Sequence, residues 1–317
     1  MKVLCGERGF LRGETNHSEQ CGSLIECGES VAEQNVGRYV RCLSVAITGR
    51  RPVEGPALGD GFGFERSMDY DAIANSYHQH GFEVVKGLFS SGELEKIRQD
   101  VQQYLAEQIA ESEPGEVYYE ETKSGTPQVR CVFQMQQRSD YFRQLRGDSR
   151  LVGIVRALFG GLEVVQDGVM LIDKAPQTAY EFPFHQDNAY QFWSPPDAVA
   201  ATLALDDSTS DSGAIVCLRG SHVTGILPHQ KSWVLGASLG LVEKPDTSRY
   251  PEVTLTLNPG DLALHHVNVV HRTGPNHTDR HRRQLGFAYH SARAVPDQAA
   301  RDRYQHHLEQ VNAPTGG

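Results

Sequence analysis

A mainly β protein with flanking helices, folded as a double-sheet jelly roll, is predicted by three features of the sequence. Helical periodicity is confined to the stretch before residue 160; beyond it the chain is a series of short apolar runs. Those runs are separated by Gly, Pro, Asn and Asp turns and lack the interleaved helices of βαβ units.

The order of elements starts late. Residues 1–66 are rich in Gly and polar residues, with turn-forming stretches such as Gly55-Pro-Ala-Leu-Gly-Asp-Gly-Phe-Gly63, and read as a poorly ordered extension to a domain over 67–317. Met68 directly precedes the first strong pattern, so a start of the working protein there is an expectation that N-terminal sequencing tests. Asp69 to His80 reads as a helix stopped by Gly81, and Phe82 to Lys86 as a strand. Ser90 and Glu93 have capping-box spacing ahead of Leu94, Ile97, Val101, Leu105 and Ile109, an amphipathic helix. Val129 to Gln136 reads as a strand, and Ser149 to Phe159 as a second amphipathic helix ended by Gly160-Gly161. Strands follow over 162–166, 169–173, 198–205, 214–218, 253–257, 261–270 and 284–290, with another around His185.

Composition bounds the function. The 317 residues are 39% apolar and 22% charged, as in a globular protein. No apolar run approaches the roughly 18 residues of a membrane span, and charges interrupt the N-terminus where a signal peptide needs its apolar stretch. A cytoplasmic address without membrane attachment is the expectation. A net charge of −10 disfavours a nucleic-acid partner. Four of the six cysteines fall in the first 42 residues without a zinc-ligand spacing.

The chemistry gathers at Tyr180-Glu-Phe-Pro-Phe-His185-Gln-Asp187. In an extended strand, His185 and Asp187 project from one face and Gln186 from the other, which offers an imidazole and a carboxylate to one metal ion. With a distant second histidine, such a pair forms the facial triad that holds non-haem Fe(II) and leaves positions open. His265, His266 and His271 compete for that place. The first two lie mid-strand, whereas His271 stands at a strand end before Arg-Thr-Gly-Pro-Asn276, and Arg282 follows eleven residues on. Were 262–270 and 282–290 a hairpin, Arg282 would return to His271, sharing a face with the small residues Gly286 and Ala288 and with Gln284; Leu285, Phe287 and Tyr289 would pack on the other.

His185-Gln-Asp187, Gly213 with Arg219-Gly-Ser-His222, Asn258-Pro-Gly-Asp261, His271-x-Thr-Gly-Pro-Asn276 and Arg282 together resemble the phytanoyl-CoA dioxygenase family of Fe(II)/2-oxoglutarate oxygenases, over roughly residues 70 to 295. The resemblance implies a cupin-like double-stranded β-helix and iron held by His185, Asp187 and His271. It also implies an Arg282 that pairs with the distal carboxylate of 2-oxoglutarate, a Thr273 that assists it, and a Met170 that lines the cosubstrate. Gln186 belongs to the motif and is assigned to the cofactor site behind the ligands. Many members carry Trp where this chain has Thr202, which implies a wider cosubstrate pocket or one packed from elsewhere, with Trp193 as the candidate.

The expected reaction is therefore an O2-dependent hydroxylation of a small organic molecule, with release of succinate and CO2. Related halogenases have a small residue in the place of Asp187, so the carboxylate favours hydroxylation. A catalytically silent cupin-like binding protein, or a zinc cupin acting as hydrolase or isomerase, are the alternatives. Neither has use for all of His185, Asp187, His271 and Arg282. Tyr190, Phe192 and Trp193 are secondary candidates for a substrate entrance. His222 and His229 read as structural, and Lys174 as either a pocket neighbour or a loop charge. Variable loops over 118–127, 190–196 and 230–249 would set a substrate that the sequence does not name.

Overall fold

The computed structural model describes residues 68–113, 115–121, 127–234 and 237–312, so the expected extension over 1–66 lies outside the described residues. The chain opens with helix α1 (Tyr70–His80), strand β1 (Phe82–Val85) and helix α2 (Ser91–Glu107). Strands β2 (Val117–Glu121) and β3 (Pro127–Val132) form a hairpin, and α3 (Ser149–Leu158) closes the helical part. Next come β4 (Val164–Lys174), β5 (Phe182–His185), β6 (Trp193–Ser194), β7 (Ala198–Ala204) and β8 (Ile215–Leu218). The remainder comprises β9 (His229–Val234), β10 (Ala237–Leu241), β11 (Glu252–Thr254), β12 (Leu262–His266), β13 (His271–Thr273), β14 (Arg282–Ser291), β15 (Val295–Pro296) and a terminal helix α4 (Gln298–Asn312). No helix among the described residues is long and apolar enough to cross a membrane.

The strands assemble antiparallel into a seven-stranded sheet, β1-β12-β7-β14-β4-β3-β2, and a four-stranded sheet, β11-β8-β13-β5. The jelly-roll expectation is met. Helices α1 to α3 cover the outer face of the large sheet, where Tyr77, Leu94, Ile97 and Leu151 join Leu203, Leu285 and Phe287 in one buried cluster. Each such fully buried side chain contributes about 1.5–3 kcal/mol of hydrophobic stabilisation before conformational entropy is set against it. The capping signals act as expected. Gly81 ends α1 at φ 85° and Ser90 and Glu93 form a reciprocal capping box; Asp69, counted in the helix from sequence, is instead its N-cap and accepts the Ala72 N–H at 2.9 Å.

Three elements differ from expectation. The strand expected over 129–136 stops at Val132: Gln134 takes a left-handed φ of 60° and a short helix, Met135–Arg138, begins. The two strands expected over 162–166 and 169–173 are one, because Asp167-Gly168 forms a bulge in β4 against β14 and the ladder continues through it. The run 261–270 is not one strand either. β12 ends at His266, and the buried residues Val267, Val269 and Val270 turn the corner between sheets, with Val269 N–H donating to His266 O at 2.8 Å.

Candidate active site

His185 is the last residue of β5, and Asp187 lies beyond the strand, at φ −60° and ψ −35°, where it starts the short helix Asn188–Gln191. Strand alternation therefore does not align the two; the strand-to-helix bend does. His271 begins β13 in the small sheet, directly opposite His185 in register. The result is a three-residue cluster whose ligand atoms all lie within 4.8 Å of one another. Asp187 Oδ1 is 3.7 Å from His185 Nε2 and 3.7 Å from His271 Nε2.

The imidazoles are set for ligation by their backbone contacts. His185 Nδ1 is 2.7 Å from Pro183 O and His271 Nδ1 is 3.1 Å from Val269 O. A carbonyl only accepts, so each Nδ1 carries the proton and each Nε2 presents its lone pair to the centre. Burial lowers the pKa of His185, and lowers that of His271 still further, so both are neutral near pH 7. Burial alone would raise the Asp187 carboxyl. The neighbouring imidazole of His271, the hydrogen bond from His265 and the imidazole of His185 outweigh it and hold the group well below the usual carboxylate range.

Sequence reasoning set His265 aside as a mid-strand core residue, yet its Nε2 lies 3.1 Å from Asp187 Oδ2. The carboxylate can only accept, so His265 donates. Oδ2 is thereby engaged from β12 of the large sheet, while Oδ1 faces the two ligand histidines. His265 Nδ1 is buried without a partner, as an unprotonated ring nitrogen would be.

Arg282 reaches the same cavity by a route other than the expected hairpin. β13 pairs with β5 and β8, whereas β14 pairs with β4 and β7, so His271 and Arg282 stand in opposite sheets that face one another. Asn276 shapes the connection: it is fully buried, and its Nδ2 donates to Lys174 O at 2.9 Å, Ala175 O at 3.1 Å and Arg280 O at 2.7 Å. Arg282 is 1% exposed and lines the cavity with Thr273, Gln284 and Met170. Its guanidinium donates to Gly213 O at 2.8 Å and to Gln284 Oε1, which leaves further N–H groups for a ligand. Gly213, at φ 80°, lets the 274–275 backbone pass close by: a Cβ there would lie 2.4 Å from Gly274 O. Thr273 Oγ1 is buried without a hydrogen-bond partner.

The cavity face of the large sheet is made of small residues, Ala200, Thr202, Gly286 and Ala288, with Thr202 opposite Gly286. A Cβ at Gly286 would lie 2.8 Å from Met170 Cγ, so the glycine gives Met170 its place. Trp193 does not fill the space beside Arg282. It stacks on His290 at 4.1 Å, eight residues along β14. Gln186 does not face the cavity: its amide donates to Gly225 O at 2.8 Å and Asn268 O at 2.7 Å and accepts from Leu227 N–H at 2.8 Å, tying the 225–227 loop and the corner at 268 behind the triad. His229 supports the Gln186 backbone at 3.1 Å and His222 contacts His78 O at 3.0 Å, both outside the cavity. Lys174 is fully buried, donating to Tyr180 O at 3.1 Å and to Gly274 O. Burial first, then the charges of Arg282 and Arg130, push its amine down to about 6.

Two neutral imidazoles and one carboxylate are a donor set suited to Fe(II), and an unpartnered hydroxyl that shares the cavity with a buried guanidinium suits a carboxylate; the residues fit iron with 2-oxoglutarate. The comparisons agree. Residues 77–284 match the family described as phytanoyl-CoA dioxygenase. A probable alpha-ketoglutarate-dependent hypophosphite dioxygenase of Stutzerimonas stutzeri is 28% identical over 226 residues, 69% of this chain and 78% of that one. The peroxisomal phytanoyl-CoA dioxygenase of Rattus norvegicus is 26% identical over 266 residues, 76% of each chain. Among solved structures, the non-heme alpha ketoglutarate dependent epimerase SnoN from nogalamycin biosynthesis superposes with a TM-score of 0.58 at 24% identity, covering 71% of this chain and 84% of that one. EctD from S. alaskensis, solved with 2-oxoglutarate and 5-hydroxyectoine, gives a TM-score of 0.58 at 21% identity over 72% of this chain and 79% of that one. These structural likenesses establish the double-stranded β-helix fold.

Proposed function

We propose, for a chain that belongs to the phytanoyl-CoA dioxygenase family of iron- and 2-oxoglutarate-dependent oxygenases, that its reaction is hydroxylation of an aliphatic C–H of a small organic molecule. The observation that carries this reading is the presence in one cavity of the His185-Asp187-His271 triad, a buried, cationic Arg282 and an unpartnered Thr273 hydroxyl. A silent binding protein or a zinc hydrolase has no use for that combination.

When bound, iron and 2-oxoglutarate supply an O2-dependent oxidation in which the oxoacid is decarboxylated to succinate and one oxygen atom goes to the substrate. The chain's own residues orient and enclose. His185, Asp187 and His271 would hold the metal. Arg282 and Thr273 would bind the distal carboxylate of 2-oxoglutarate, the arginine by a charge-assisted fork that a lysine could not reproduce. Met170 would line the cosubstrate, and the small residues Thr202 and Gly286 leave room for it. Asp187 would give the metal a carboxylate, and this favours hydroxylation over halogenation.

Under argon, Fe(II) with 2-oxoglutarate is expected to give the weak visible charge-transfer band of the chelate in wild type and none in Asp187→Ala or His271→Ala. Arg282→Gln is expected to show the band only at 2-oxoglutarate concentrations at least about tenfold higher, the equivalent of about 1.4 kcal/mol. In air, succinate and hydroxylated product should appear one for one. A wild-type protein without the band sinks the oxygenase reading; a product other than an alcohol sinks the hydroxylase part alone.

A further inference from the structure

Beyond the triad, the cavity continues along β14 away from Arg282, and the far part has no role in holding metal or oxoacid. Its walls are mostly apolar, formed by Phe133, Tyr190, Trp193 and Val199. Most polar side chains there are already engaged. Asp167 Oδ2 is 2.6 Å from His290 Nδ1, Gln191 Oε1 accepts from Trp193 Nε1 at 2.9 Å, and Gln134 Oε1 accepts from Gln136 Nε2 at 2.6 Å. Arg301 is different. It lines the cavity, its side chain has no hydrogen bond or salt bridge among the described residues, and its Nε is buried without a partner.

Arg301 belongs to the wall and not to a free tail. Asp297 caps α4 by accepting Ala300 N–H at 2.9 Å, and its own N–H donates to Phe192 O at 2.6 Å, just past the iron-binding turn. Tyr304, one turn after Arg301, lies with its ring 5.5 Å from that of Phe192 and packs against Ala189, Tyr190 and Leu239. A guanidinium fixed over a largely apolar cavity with part of its fork desolvated carries a cost that an oxyanion in the cavity would offset.

We propose that the substrate carries an anionic group, a carboxylate or a phosphate ester, which Arg301 binds while the apolar carbon skeleton spans the space between Tyr190 and Val199 and presents a C–H to the triad. This rests on the oxygenase reading above and adds the chemical class of what it oxidises. The charge at Arg301 also selects: an amine or neutral alcohol of the same skeleton leaves the guanidinium, with its buried Nε, without a charge partner in the cavity.

The test uses the full chain and four probes of one length: octanoate, octyl phosphate, octanol and octylamine. Each is titrated into the anaerobic Fe(II)·2-oxoglutarate complex while the charge-transfer band is followed, and succinate release is then measured in air. The expected result is that at least one of the two acids perturbs the band and stimulates succinate release, with octanol and octylamine about tenfold or more weaker. Which acid responds separates a carboxylate from a phosphate ester. Arg301→Gln should retain the band and lose the preference, and Arg301→Lys should recover part of it. A wild type lacking the band overturns the oxygenase reading. A band that responds equally to octanol, responds to neither acid, or keeps its acid preference in Arg301→Gln overturns the anion proposal alone.

Discussion

At the scale of single residues, the histidine that sequence reasoning passed over carries a direct consequence. A metal-bound carboxylate whose second oxygen is held by a neighbour is pre-oriented, and loss of such a neighbour typically costs 10–100-fold in metal affinity. His265→Phe keeps a ring of similar volume and removes the donor to Asp187 Oδ2. Co(II) titrations followed by visible absorption should therefore show binding weakened by about 10–100-fold; affinity equal to wild type would mean that Asp187 needs no such support. Lys174 offers a second test. Its amine, held near 6 in the fold against about 10.4 in the unfolded chain, binds a proton on unfolding at any pH between those values. Its contribution to stability is thus fully present above the unfolded value and is lost as pH falls towards about 6. The difference in unfolding free energy between wild type and Lys174→Met should slope by about 1.4 kcal/mol per pH unit between pH 7 and 9. A difference independent of pH would place a charged amine in the fold. That His185, Asp187, His271 and Arg282 share one cavity was legible because motif spacing groups them. His265 was not, since nothing next to it in the chain says which face of β12 it occupies; its register against Ala200 in β7 does.

Elements were legible where a local signal sets them. The helix start at Ser90 followed from side chains that satisfy the first free N–H groups, and those groups are local by nature. The errors arose where tertiary pairing overrode composition: Asp167-Gly168 looks like a turn and is a bulge that β14 carries through, and Val267 to Val270 looks like a strand and is a buried corner. The Asn258–Asp261 turn is the local element on which the large sheet depends most. Asp261 accepts from Gly87 N–H at 2.8 Å, Asn258 N–H at 2.8 Å and Lys86 Nζ at 2.9 Å, joining the end of β1 to the start of β12. Gly260 lies at φ 92°, and a Cβ there would sit 2.3 Å from Phe89 O, a backbone atom that cannot swing away. The left-handed conformation alone costs a residue with a Cβ about 1–2 kcal/mol, and the overlap adds to it. Gly260→Ala should therefore destabilise by clearly more than the loss of a helix cap in Ser90→Ala, about 1 kcal/mol. Chemical denaturation midpoints compare the two, and equal shifts would show that the turn can relax.

For the whole molecule, the two sheets contribute different parts of the site. The small sheet and the turn after β5 supply His185, Asp187 and His271, so a metal ion alone is ligated from one side of the sandwich. Arg282 comes from β14 at the centre of the large sheet. On the proposed reading, a 2-oxoglutarate molecule chelated at the triad and paired with Arg282 spans both layers, and its binding free energy adds to their cohesion. A ligand at 100 times its dissociation constant stabilises the folded state by about 2.7 kcal/mol, and for a domain of this size each kcal/mol raises Tm by about 2–4 °C. The ordering of effects is the informative part. With Mn(II) as a redox-inert substitute, metal alone should raise Tm, 2-oxoglutarate alone should have little effect, and both together should exceed the sum, because the oxoacid binds through the metal. Arg282→Gln should retain the increment from metal and lose most of that from 2-oxoglutarate, whereas Asp187→Ala should lose both. Calorimetric scans of the three proteins decide it: an Arg282→Gln variant that keeps the full joint increment would mean that the large sheet takes no part in holding the oxoacid, and the cation at its centre would need another explanation.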